Sequence, residues 1–110
     1  TMVNHTHYTY RIRWSEEDDQ FVGLCTELPS LSWLADTHQE ALEGILSLVA
    51  DVVVDMEAEG ETPPTPLSER HYSGRFNVRI PPEKHRELAI KAAEENISLN
   101  RLVSDRLANA

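Results

Sequence analysis

Gly74-Arg75-Phe76-Asn77-Val78-Arg79-Ile80-Pro81-Pro82 is the stretch on which the reading of this chain turns. Phe76, Val78 and Ile80 fall on one side of a period-two pattern and Arg75, Asn77 and Arg79 on the other, which predicts a strand over 75–80. A lone strand of that length can neither bury its apolar side nor pair its backbone. No partner strand follows it. A second copy of the chain is the simplest remedy, giving a two-stranded antiparallel ribbon with Phe76, Val78 and Ile80 in the dimer core. The ribbon's other surface then shows Arg, Asn and Arg twice. A two-stranded ribbon fits the major groove of double-stranded DNA, where Arg suits guanine and Asn suits adenine. Arg75, Asn77 and Arg79 are therefore the expected base-contacting residues. A solvated strand face is the plainer alternative, and the missing partner strand weighs against it.

Downstream, the pattern changes to a helical period. A helix is expected over 82–95, with Pro82 in its first turn and a stripe of Leu88, Ala89, Ala92 and Ala93. Asn96 and Ile97 make a turn. Ser98 caps a second helix over 99–108, which points Leu99, Leu102, Val103 and Leu107 inward. Leu88, Leu102 and Val103 join the expected dimer core.

Upstream, Pro63, Pro64 and Pro66 preclude a helix and predict an extended linker. Strands are expected over 8–14, 21–27 and 31–35. Thr37-His38-Gln39-Glu40 then fits a capping box that opens a helix ending near Gly60. Leu42, Ile45, Leu46, Val49, Val52, Val53 and Met56 make its apolar side. The expected class is α+β: a β-β-β-α domain at 1–60, a linker at 61–72, and a β-α-α module at 73–110.

Charge divides the chain in the same place. Residues 1–70 carry three Lys/Arg against fourteen Asp/Glu, a sum of −11; residues 71–110 carry seven against five, a sum of +2. Two such halves suit different partners. The acidic half is repelled by nucleic acid, so any DNA contact must be local to the second half. The single cysteine, Cys25, allows no internal disulfide and reads as a buried thiol in a reducing compartment. No run approaches the roughly 20 apolar residues of a membrane span. The polar start lacks the apolar core of a signal peptide, and Thr1 ahead of Met2 reads as a residue added for expression. A cytoplasmic protein without membrane contact is expected.

Nothing in the pattern predicts catalysis, a metal or a cofactor. Glu16-Glu17-Asp18-Asp19 reads as a solvated turn, because neighbouring side chains of a hairpin diverge. His5 and His7 read as part of a frayed terminus; His38 and His85 lack catalytic partners. Trp14 and Trp33 read as core aromatics of their strands, with Trp33 an anchor for a protein partner if it is exposed.

The order strand-helix-helix over 74–110, with the Ile80-Pro81 step and Ser98-Leu99-Asn100, resembles the ribbon-helix-helix family of DNA-binding dimers. That resemblance implies base contact by Arg75, Asn77 and Arg79. It also implies a phosphate held at the helix start by Ser98 and the amides of Leu99 and Asn100. Phe21-Val22-Gly23-Leu24-Cys25, Glu27-Leu28-Pro29, Asp36-Thr37 and Glu40-Ala41-Leu42 resemble the HicB antitoxin family. Ser73-Gly74, His85-x-x-Leu88 and Ser98-Leu99-Asn100 are similar to the C-terminal segment of the same family. After the Leu-Pro step this chain has Ser30-Leu31-Ser32-Trp33, where the family often has Gly-Cys. The resemblance implies a reduced, non-catalytic RNase H-like domain that blocks a small RNA-cleaving HicA toxin. It implies a C-terminal domain that binds the promoter of its own operon as a homodimer, or as a tetramer through the N-terminal domains. A stand-alone ribbon-helix-helix regulator without a toxin is the alternative.

Overall fold

A computed structural model describes residues 3–110 and divides them at Tyr72 into two compact units, up to Tyr72 and Ser73–Ala110. The fold is α+β. Three antiparallel strands, β1 (Tyr10–Ser15), β2 (Gln20–Cys25) and β3 (Ser32–Ala35), form one sheet in the order β1-β2-β3. The first unit also contains helix α1 (His38–Ala58); the second contains α2 (Pro82–Glu94) and α3 (Leu99–Ala108).

Helix α1 starts where its capping box predicts. The Thr37 hydroxyl accepts the Glu40 N–H at 3.1 Å and donates to the Glu40 carboxylate at 3.1 Å. It ends in a Schellman motif: Gly60 adopts φ +79°, its N–H donates to Glu57 O, and the Glu61 N–H donates to Met56 O at 2.8 Å. Every fourth residue, Ala41, Ile45, Val49 and Val53, is buried against the sheet. The buried stripe is narrower than the predicted apolar side, since Leu42 lies exposed beside Ala41.

Register sets which strand residues meet that helix. Gly23 pairs with Ile12 on one side and Trp33 on the other, and a Cβ at Gly23 would lie 2.7 Å from Ala41 O and 2.9 Å from Ile45 Cγ2. The helix therefore crosses the sheet at this glycine, and the core forms around Tyr8, Cys25, Ile45, Val49 and Val53. Completely burying an aliphatic side chain such as Ile45 contributes about 1.5–3 kcal/mol.

Residues 61–72 do not form a free linker. Pro63 and Pro66 are buried, the Tyr8 hydroxyl donates to Pro64 O at 2.7 Å, and the Ser68 hydroxyl donates to His7 O at 3.1 Å. Glu27 anchors this strap. Its carboxylate accepts the Thr9 N–H at 2.9 Å, the Thr9 hydroxyl at 3.2 Å and the Leu67 N–H at 2.9 Å. Burial alone would raise its pKa, but these donors stabilise the anion and hold it below the usual carboxylate value. Residues 7–9 are tied down by the same contacts and are not frayed as expected. Residues His5–His7 form a 3-10 turn capped by Asn4, and His7 lies 3.5 Å from Glu69.

Two further expectations are corrected. Trp14 and Trp33 lie at the rim of the sheet, 46% and 43% exposed. Trp14 packs edge-on against Phe21, and Trp33 lies against α1 at Gly44 with much of its ring still open. Among the described residues, no helix is long and apolar enough to cross a membrane, and no group of three or more His, Cys, Asp or Glu could hold a metal.

Candidate nucleic-acid interface

The second unit is a helical hairpin preceded by an unpaired segment. Pro81, with φ −58° and ψ 143°, delivers Pro82 as the first residue of α2. A second Schellman motif ends α2. Asn96 takes φ +57°, its N–H donates to Ala93 O, and the Ile97 N–H donates to Ala92 O at 3.0 Å. Ser98 follows at once as the cap of α3, its hydroxyl accepting the Arg101 N–H at 3.0 Å. With so short a connection the two helices are held together, burying Ala92 and Leu102 and half-burying Leu88 and Val103.

Ser98 is thus spent partly on its own helix. Among the described residues the N–H groups of Leu99 and Asn100 have no acceptor, as expected for the first positions of a helix. They keep the arrangement that suits a phosphate oxygen, with the positive end of the α3 dipole behind them.

Residues 75–80 form no strand, against the expectation of one, because among the described residues no backbone partner is present for them to pair with. All six are exposed. Phe76 is 71% and Val78 66% exposed, so the apolar side is as open as the polar one. The preceding turn, with Gly74 at φ +82° and the Arg75 N–H donating to the Ser73 hydroxyl at 3.1 Å, is a position that only glycine takes without strain. Arg75, Asn77 and Arg79 alternate with Phe76, Val78 and Ile80, and among the described residues neither arginine has a carboxylate partner. Of the expected dimer core, Leu102 is buried inside its own unit, whereas Phe76 and Val78 are wide open.

Two apolar side chains stand open on the helices, one of them not singled out by the sequence pattern. Ile90 on α2 and Leu107 on α3 are both more than half exposed. Leu107 was expected to face inward but α3 turns it out. Ile90 was passed over because it falls outside the Leu88-Ala92 stripe; its bulk among alanines was the available signal.

Residues 57–107 match the HicB family model. The match covers a little under half of the chain. It spans the strap and nearly all of the second unit, and it leaves the β-sheet and most of α1 outside. No curated protein and no solved structure matches the chain.

Proposed function

We propose that the chain is the antitoxin of a HicAB-like system and represses its own promoter. Two copies pair along residues 75–80 as an antiparallel ribbon, completing a ribbon-helix-helix unit. The observation that carries this reading is the open apolar row of Phe76, Val78 and Ile80 in a segment without a backbone partner. Pairing covers that row, joins the unpaired N–H and C=O groups, and turns Arg75, Asn77 and Arg79 of both copies to one surface. The amides of Leu99 and Asn100 then set the register on the DNA backbone, and the three polar side chains read base edges.

The first unit, with its sum of −11 and its sheet backed by one helix, is a reduced RNase H-like domain in this reading. It binds a basic HicA-type RNA-cleaving toxin. A regulator without a toxin is the second reading, favoured by the family match beginning only at residue 57.

Sedimentation and promoter binding test the proposal together. The wild-type chain is expected as a dimer, and Val78→Asp as a monomer with no specific DNA binding. Arg79→Ala should stay dimeric and lose about 1–3 kcal/mol of specific affinity. A wild-type chain that remains monomeric at micromolar concentration, or binds the promoter equally well after Val78→Asp, refutes the ribbon.

A further inference from the structure

We propose that the free edge of β3, with Trp33 beside it, docks an extended cationic segment of a protein partner. This rests on the antitoxin reading above and specifies where on the first unit the partner sits.

Three observations converge there. β3 is the end strand of the sheet, and β2 occupies only one of its sides. Among the described residues no strand covers the other side, so alternate backbone groups between Ser32 and Ala35 face outward, ready for strand addition.

Trp33 is seated by a glycine in the middle of a helix. Any Cβ at Gly44 would run into the Trp33 indole at Nε1 and Cδ1. A glycine inside a helix costs about 1 kcal/mol relative to alanine, and here it lets the ring lie against the backbone of α1. The ring is held in place and yet remains 43% exposed, and its Nε1 has no acceptor among the described residues. A large aromatic side chain, fixed before binding and half open to solvent, has the character of an interface hot spot.

A shallow cleft of about 520 Å³ runs between β3 and the first turns of α1, bounded by Trp33 and Gly44 and by the carboxylates Asp36, Glu40 and Glu43. Their partners are neutral: Gln20 donates to Asp36 at 3.1 Å, Gln39 to Glu43 at 3.1 Å, and the Thr37 hydroxyl to Glu40. No Lys or Arg occurs anywhere between Arg13 and Arg70. The rim therefore favours Lys and Arg flanking an extended segment and repels a second copy of the same unit.

The test uses the full chain and a HicA-type protein whose RNA cleavage has been disabled. Trp33→Ala should weaken the complex at least tenfold. Glu43→Lys should slow association and flatten its salt dependence, while Asp51→Lys, the same charge change on the exposed face of α1, should do neither. Hydrogen exchange should show new protection at alternate amides of residues 32–35 in the complex. Should Trp33→Ala fail to fold, Glu43→Lys and the exchange pattern still decide the matter. A wild-type complex with unchanged exchange at 32–35, and full affinity in both variants, overturns this surface and leaves the antitoxin reading standing. Absence of any complex with the wild-type chain overturns both.

Discussion

Replacing Glu27 by Ala removes three hydrogen bonds that join residues distant in sequence: the Thr9 N–H, the Thr9 hydroxyl and the Leu67 N–H all lose their acceptor. A protein hydrogen bond is worth about 1 kcal/mol net, more when the acceptor is charged. The site is only half-buried, so water recovers part of that loss. The expected cost is about 2–3 kcal/mol, which for a unit of this size lowers Tm by about 10–20 °C. Glu27→Gln keeps one carbonyl acceptor and should lose roughly half as much. The pH dependence follows from the depressed pKa of the folded-state carboxyl. Its contribution is fully present above the ordinary value of 4.5 and disappears as pH falls through the lower folded value. Thermal melts of wild type and Glu27→Gln should therefore differ at pH 7 and converge in acid. They must be run at one protein concentration, because the proposed dimer would make apparent stability depend on concentration. Amide exchange at Leu67 should accelerate in both variants at neutral pH. An alanine variant within about 0.5 kcal/mol of wild type, with Leu67 exchange unchanged, refutes the role given to this carboxylate.

Two other perturbations probe the packing of the first unit. Gly23→Ala puts a methyl group 2.7 Å from Ala41 O, a backbone atom that cannot rotate away, and should cost about 1–3 kcal/mol in urea denaturation. Burial pushes the Cys25 thiol above its usual pKa, so it should resist an aromatic disulfide reagent in the native state and react only as fast as the unit opens. Rapid labelling of the native chain would contradict that burial.

Much of the first unit was legible because its signals are local. The Thr37 cap, Gly60 and the alternation of the strands each act within a few residues, and element limits moved by only a few positions. The strap was not legible. Three prolines read as a spacer, whereas Pro63 and Pro66 are buried and Leu67 reaches a carboxylate forty residues earlier. Nothing local announces a contact of that span. Strand periodicity puts Trp33 on the helix-facing side but does not say how much of so large a ring the helix covers. Gly44 inside an apolar helix was the sign that the ring needed room. At the candidate interface, alternation over 75–80 predicts a strand with two faces, but a strand needs a mate, and among the described residues the chain provides none.

The strap also sets an order of assembly. The meander and the start of α1 can form from neighbours in sequence, but closing His7 against Ser68 spans sixty-one residues. Contacts of that range carry a larger loop-closure entropy and form late. A nascent chain released as far as residue 60 would thus hold its sheet and helix while His7 and Tyr8 still waited for Ser68 and Pro64. The same seam is where the mature unit should first come undone. Cutting the chain after α1 to obtain a minimal N-terminal domain would remove the piece that locks it.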